Sequence, residues 1–358
     1  MKVAHFPDYR NDNPYQQLLA NALVKLDVEV FFPQGYRRGL PFSRALDGAH
    51  RADVLHLHWL TPYLRGKRYL TKAAYALKLL LDLQLAKMRG VRLVWTIHNL
   101  VSHETTTPKL EIWLSRRLAV LADALIVHSD PAKAAVEQQF KVSGEKIVVV
   151  AHGDFAAAYG EKVPRAEARC RLGIDPQMPV FLFFGMIRPY KGVVRLLEVW
   201  RQTPAINQNA ALLIAGDARD LDLAKTILLA TDGNPNVHLH MRYVADDEVP
   251  LFFGSADYVV LPFSKSLTSG TIALAQTFSI PIIAPCLEAT CASNLEMGTH
   301  LYDAKDPSGL AKALTSALST AKEGVPHARP HVVHQTGWSE QALQTYTIYV
   351  RIQNSNVT

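Results

Sequence analysis

Short apolar runs alternate with longer stretches of helical periodicity from one end of the chain to the other. Val3–Phe6, Val28–Phe32, Val54–His58, Val91–Ile97, Ala124–His128 and Ile147–Ala151 are largely apolar and of strand length. Near-continuous runs of this kind mark strands covered on both faces. Between them, Pro14–Leu26, Tyr69–Met88, Leu110–Leu121 and Pro131–Phe140 read as helices. The alternation then restarts, with strands at Pro179–Phe184, Ala211–Ala215, Val237–His240, Tyr258–Pro262 and Ile280–Ala284. The segment between, Gly153 to Pro179, is charged, carries proline and glycine and has no strand-like run. An α/β fold is predicted: two Rossmann-like, doubly wound parallel-sheet domains facing a cleft. The expected divisions are residues 1–160, 161–337 and a last helical segment, 338–358. That helix shows Leu343, Tyr346, Tyr349 and Val350 at helical spacing. It is expected to cross back to the first domain, although nothing in the sequence names the surface it meets.

Composition narrows the class. The 358 residues suit two domains. A hydrophobic fraction of 49% with 20% charged residues excludes disordered, collagen-like and coiled-coil chains. Thirty-eight basic against 32 acidic residues leave +6, with an isoelectric point near 9.1, which suits an anionic ligand or surface. Cys170, Cys286 and Cys291 are too few and too irregular for a disulfide framework or a zinc site, so a reducing cytoplasm is expected. The N-terminus lacks the apolar core of a signal peptide, and no stretch of 18 uncharged apolar residues occurs.

Two loops suit phosphate. The run Phe-Leu-Phe-Phe ends at Gly185, and a helix begins near Lys191, so Arg188 and Lys191 fall on a strand-to-helix loop. Open α/β sheets bind ligands at that edge. A guanidinium and an ammonium together match a pyrophosphate, although such a pair alone could be two surface cations. Further on, the strand ending at Pro262 leads through a polar loop into a helix that starts with Thr268, Ser269, Gly270 and Thr271. Free backbone N–H groups and added hydroxyls make such a helix start an anion site. An ordinary Ser/Thr cap would look the same. Two such loops in one domain favour a nucleoside diphosphate.

In order along the chain, Gly185–Gly192, Leu212-Leu-Ile-Ala-Gly-Asp, Val244-Ala-Asp-Asp-Glu through Leu261-Pro, and Pro281-Ile-Ile-Ala-Pro resemble the donor domain of GT-B glycosyltransferases of group 1. Leu301-Tyr-Asp-Ala-Lys-Asp-Pro continues the match, which covers about Val180–Leu318 well and the N-terminal domain loosely. The resemblance implies a nucleotide-sugar donor whose diphosphate meets Arg188 and Lys191. It also implies phosphate support from the Thr268–Thr271 turn, a nucleobase pocket around Tyr243 and Val244, and a histidine, His98, beside the donor sugar. Retaining members pair two glutamates eight positions apart. Here the corresponding positions hold Ser266 and Leu274. The Leu-Thr-Ser-Gly version is similar to bacterial exopolysaccharide transferases, some of them forming β-mannosides.

On the acceptor side, Asp8 stands at the carboxyl end of the first strand, where a carboxylate could deprotonate a hydroxyl. A turn-forming aspartate would occupy the same place. Val94-Trp-Thr-Ile-His ends another strand and brings His98, His103 and Glu104, the last two forming a second candidate base. The five-residue spacing of His98 and His103 is poor for a metal, and none is expected. Asp220-Leu-Asp222 reads as helix capping rather than a metal motif. His152 ends the sixth strand and is a donor-side candidate, while a structural histidine is equally compatible. His56 and His58 read as packing beside Trp59.

Between Tyr63 and Arg92, eight basic residues meet one acid, Asp82, and are interleaved with leucines and tyrosines. Such a helix fits an anionic membrane surface as well as it fits a core-packed element with a basic outer face. No nucleic-acid-binding motif is present. The expected activity is therefore transfer of a hexose to a lipid-linked glycan acceptor in exopolysaccharide or cell-surface glycan synthesis. GDP-mannose is the preferred donor and UDP-glucose the next, with inversion and without cofactor or metal, on the inner face of the bacterial cell membrane. The alternatives are a sugar-nucleotide epimerase of the same fold and a non-catalytic nucleotide-sugar-binding subunit.

Overall fold

The computed structural model describes residues 1–11, 13–33, 39–46, 51–66, 68–102, 105–231, 233–264, 267, 269–287, 290, 298–323 and 337–355. The chain forms two compact units, Met1–Gly153 with Thr336–Thr358, and Asp154–Gln335.

In the first unit, β1 (Lys2–Phe6), β2 (Glu29–Phe31), β3 (Val54–Leu57), β4 (Arg92–Thr96), β5 (Ala124–Val127) and β6 (Ile147–Val149) form one parallel sheet. Their order is β2-β1-β3-β4-β5-β6. Helices α1 (Tyr15–Val24), α2 (Pro41–Ala45), α3 (Tyr69–Met88), α4 (Pro108–Leu121) and α5 (Asp130–Phe140) connect them. The apolar runs become fully buried strands, as in Val54–Leu57 and Ala124–Val127. The five-residue α2 has little propensity of its own. Asp82, buried on α3, accepts from the backbone N–H groups of Phe42 (2.8 Å) and Ser43 (2.9 Å) at its N-terminus. The lone acid of the basic segment thus serves a helix end.

The second unit repeats the plan with α6 (Ala156–Tyr159), α7 (Arg165–Leu172), β7 (Val180–Phe184), α8 (Val193–Gln202), α9 (Pro204–Asn207) and β8 (Ala211–Ala215). It continues through α10 (Leu221–Thr231), β9 (Val237–His240), α11 (Val249–Ser255), β10 (Tyr258–Val260), α12 (Gly270–Thr277) and β11 (Ile282–Pro285). The edge strand β12 (His300–Tyr302) and α13 (Gly309–Lys322) close it. The parallel order is β12-β11-β10-β7-β8-β9. β12 has only three residues and no apolar run, so the pattern did not reveal it. Arg169, fully buried, reaches the Asp257 carboxylate, the Ser255 carbonyl (3.0 Å) and the Pro176 carbonyl (2.8 Å), tying α7 to the loop before β10. Cys170 is free and exposed, whereas Cys286 is disulfide-bonded. A single bond of this kind is compatible with three cysteines that are too few for a disulfide framework.

The last helix, α14 (Trp338–Asn354), belongs to the first unit and packs on α1. Its buried face is Trp338, Gln341, Ala342, Thr345, Ile348, Tyr349 and Ile352. Of the stripe expected from sequence only Tyr349 is buried, and Leu343 is 53% exposed. Polar side chains displace the apolar stripe because they find partners. The Gln341 amide donates to Tyr15 Oη (3.0 Å) and accepts from the Gly153 N–H (2.9 Å), while Tyr349 Oη pairs with His56 Nδ1 (2.6 Å). The boundary between units falls at this attachment. A Cβ on Gly153 would lie 2.6 Å from the Trp338 ring and 2.8 Å from Gln341 Oε1. Gly153→Ala should therefore destabilise the protein by about 1–3 kcal/mol through overpacking. A urea midpoint equal to that of wild type would contradict this attachment.

Candidate active site

In the second unit, three glycines let two loops close on one another. Buried β7 ends at Gly185, whose φ is +98° and whose N–H still donates to Ala215 O (2.9 Å). A Cβ there would stand 3.1 Å from Lys191 Nζ and 3.5 Å from Thr271 Oγ1, so glycine leaves open the spot on which both groups converge. Gly192, in the left-handed region, and Gly216 allow backbone approaches that a Cβ would block at 2.2 Å, against Pro262 O and Gly185 O. The turn Pro189–Lys191 is held by Ser264, whose N–H donates to Tyr190 O (3.0 Å). Ser269 caps α12 by accepting from the Ile272 N–H (3.4 Å), and Gly270 faces open space.

Gly185, Lys191, Ser269, Gly270 and Thr271 are thus gathered at the carboxyl edge of β7, with Arg188 on the same loop. Thr268 and Ser266 lie outside the described residues. Burial, and next the Arg188 charge, lower the Lys191 ammonium to a pKa of about 8. A cation held that way gains most from an incoming anion. Arg188 Nε lies 3.0 Å from Met186 Sδ. Tyr243 is 63% exposed beside Arg242, which grips Glu248 with both of its terminal nitrogens. Leu274 is a buried aliphatic side chain on α12. Asp220 accepts from the N–H groups of Asp222 and Leu223, a helix cap.

In the first unit, Gln16 sets the loop after β1. Its amide donates to Pro7 O and accepts from the Tyr9 N–H, both at 2.8 Å. Asp8 between them is held by Arg10, with Nε to Oδ1 at 2.9 Å and Nη2 to Oδ2 at 3.0 Å, and Arg10 in turn lies over the Phe32 ring. His103 and Glu104 lie outside the described residues. His98 follows β4 as expected, but it stands in a row that the sequence reading missed. His5 on β1, His56 on β3, then His58, His98, His128 and His152 past the ends of β3, β4, β5 and β6 follow one another along the sheet edge. Successive ring centroids are 4.3–5.6 Å apart. Trp59 stacks on His98 at 4.3 Å and 12°, and the Tyr15 ring meets His98 at 90°. His152 belongs to this row, with its Nδ1 2.6 Å from Gly153 O.

Register produces the row: His5 and His56 are paired positions of β1 and β3. A reading that compared strand ends with one another, rather than one motif at a time, could have found it. Burial keeps the rings neutral. It lowers His5 and His128 to about 3, and His56, His58 and His98 fall well below the ordinary value, with neighbouring imidazoles adding to the effect. His5, His56 and His58 also bring potential metal-ligating atoms within 4.8 Å of one another. Both nitrogens of His56 are engaged by Tyr349 and Thr96, and both of His58 by His98 and His5. A metal would have to displace those bonds. An open cavity of about 450 Å³ adjoins the row, lined among others by His58, Trp59, Leu64, Trp95, Asn99 and Glu111.

Known proteins agree with this architecture. Residues 178–320 match the family model described as glycosyl transferases group 1, and residues 6–153 match glycosyltransferase family 4. A protein of Xanthomonas campestris pv. campestris named GDP-mannose:glycolipid 4-beta-D-mannosyltransferase is 28% identical over 320 residues, 88% of this chain and 82% of its own. A D-inositol 3-phosphate glycosyltransferase of Pseudarthrobacter chlorophenolicus is 25% identical over 327 residues, 84% and 70% of the two chains. In fold, sucrose-phosphate synthase of Thermosynechococcus elongatus superposes with a TM-score of 0.72 at 15% identity, covering 99% of this chain and 100% of the other. Anabaena HepE in complex with UDP and glucose gives 0.67 at 16%, covering 99% and 98%. With two six-stranded parallel sheets and family matches over both units, the chain belongs to the group 1 glycosyltransferases of the GT-B fold.

Proposed function

We propose that this glycosyltransferase moves mannose from GDP-mannose, or next in preference glucose from UDP-glucose, to a lipid-linked glycan, inverting the anomeric centre without cofactor or bound metal. The observation that carries the reading is the convergence of Lys191 Nζ and Thr271 Oγ1 over Gly185, beside the capped start of α12. Fixed cations and helix N–H groups stabilise a leaving diphosphate where a metal would otherwise serve. The Xanthomonas relative, named for GDP-mannose and a glycolipid, supports the sugar and the acceptor class. Leu274 supports inversion. An aliphatic side chain cannot stabilise positive charge at the anomeric carbon, whereas a single in-line displacement with base assistance needs no carboxylate there. Asp8 takes the acceptor proton, oriented by Arg10, and the cavity beside Trp59 receives the acceptor.

The outer face of α3 supports work at the cytoplasmic face of a membrane. Tyr69, Leu70, Leu77, Leu81 and Met88 are more than half exposed. Arg65 and Lys78, with Tyr63 and Tyr75, line a cavity of about 300 Å³ beside this helix. Lys87 and Arg92 contribute less, since both turn to Asp123. Exposed apolar and basic groups on one helix fit anionic lipid. Among the described residues no helix is long and apolar enough to cross the bilayer.

Arg188→Ala or Lys191→Ala should weaken GDP binding by about 1.5–3 kcal/mol, the scale of charge-assisted hydrogen bonds. Wild-type affinity in both variants would remove the donor site from this loop. Because Lys191 loses its proton as the pH rises through about 8, GDP affinity should fall over that range, and Lys191→Arg should abolish the inflection. Replacing Arg65, Arg68, Lys72 and Lys78 by glutamine should cost about 1 kcal/mol of binding to anionic vesicles per residue, in a salt-sensitive manner. Co-sedimentation equal to wild type would return α3 to ordinary packing. NMR of the product should show a β-glycoside from the α-linked donor, and an α-linkage would refute inversion. Asp8→Asn should abolish turnover while retaining GDP binding, and full activity would discard Asp8 as the base.

A further inference from the structure

His98, His58 and His5 form a continuous chain of buried imidazoles. His58 Nδ1 lies 3.3 Å from His98 Nε2, and His58 Nε2 lies 3.1 Å from His5 Nδ1. His5 Nε2 ends the chain, wholly buried and without a partner. Each neutral imidazole carries one N–H and one lone pair, so two contacts through His58 permit only two arrangements. In one, His5 donates to His58 and His58 donates to His98, which leaves a bare lone pair on His5 Nε2 and places the His98 proton on Nδ1. In the other every bond is reversed, His98 carries its proton on Nε2, and His5 is left with an orphaned N–H. Buried orphan donors are rarer in native proteins than under-satisfied acceptors.

The same row contains a case with no ambiguity. His128 Nδ1 lies 2.9 Å from Val150 O, and a carbonyl can only accept, so the proton sits on Nδ1. The partnerless buried nitrogen of His128, Nε2, is therefore a lone pair. The first arrangement makes both orphan nitrogens of the row acceptors. Stacking on Trp59 and the edge of Tyr15 fix the plane in which His98 presents its N–H.

We propose that His5 and His58 are positioning residues that hold His98 as its Nδ1–H tautomer, so that His98 serves the transfer as a neutral hydrogen-bond donor to a sugar oxygen and not as the base. The donor role rests on the glycosyltransferase reading above and on the likeness that sets His98 beside the sugar; the tautomer does not.

The test is therefore split. Nitrogen-15 NMR of the full chain with labelled histidine, assigned through loss of signals in His98→Gln, reads the tautomer without any substrate. A protonated Nδ1 and bare Nε2 on His98 are expected; a proton on Nε2, or on both nitrogens, overturns the proposal whatever the enzyme transfers. His5→Phe removes the donor at the buried end and should give His98 a mixture of tautomers. With the enzyme's own donor and acceptor, kcat should then fall about tenfold, well inside the range that a misplaced imidazole tautomer reaches, with the donor KM unchanged. His5→Asn, whose amide can donate from the place of Nδ1, should restore most of the loss. Wild-type kcat in His5→Phe, or equal losses in both variants, overturns the functional role. Should His5→Phe fail to fold, the wild-type spectrum and His5→Asn decide it.

Discussion

Adjacent imidazoles at the carboxyl edge of the first sheet cannot all be charged. Two like charges about 5 Å apart repel by about 3 kcal/mol at an effective dielectric of 20, before the cost of burying either. Burial first, and then repulsion between neighbouring rings, keeps His56, His58, His98 and His128 neutral, and burial keeps His5 so. Much of the first unit follows from that. A neutral imidazole is a directional group with one donor and one acceptor, so each must be matched to a neighbour of the right polarity. Thr96, Tyr349 and the carbonyls of Val150 and Gly153 supply the matches at the margins of the row.

The C-terminal helix completes this arrangement. Tyr349 meets His56, Gln341 reaches both Tyr15 and Gly153, and Trp338 lies edge-on to Tyr15, whose ring touches four of the histidines. A hydrogen bond in so dry a place is worth more than one at the surface, and its loss leaves a buried group unsatisfied. Helix α14 therefore helps to build the first unit's interior, although more than 180 residues of the second unit separate it from the rest of that unit.

The second unit solves a different electrostatic problem with the same architecture. Its loops hold two cations, Arg188 and Lys191, close enough for one to lower the pKa of the other. Glycine does this by subtraction: without side chains at 185, 192 and 216, backbone and Lys191 approach where a Cβ would collide. Lys191, largely buried yet lowered only to about 8, keeps its charge at neutral pH. One sheet edge thus gathers uncharged, directional donors and acceptors, and the other a poised positive charge.

Legible along the chain before any folding is the part written in apolar runs and in glycine, serine and basic residues at strand ends. Eleven of the twelve strands among the described residues, the two-unit plan and the gathering of Gly185, Lys191 and Ser269–Thr271 at one sheet edge were legible there. Strands covered on both faces are mostly apolar, and loops that approach as closely as those at Gly192 and Gly216 need glycine. The placement of buried polar residues, by contrast, emerges only on folding. Gln341 and Thr345 rather than Leu343 face inward on α14, Asp82 serves α2, and His5, His58 and His128 join His98 in one row. A polar side chain looks the same in sequence whether it is solvated or buried with a partner. Its place is settled only when folding brings up, from a distant part of the chain, the group that satisfies its hydrogen bonds.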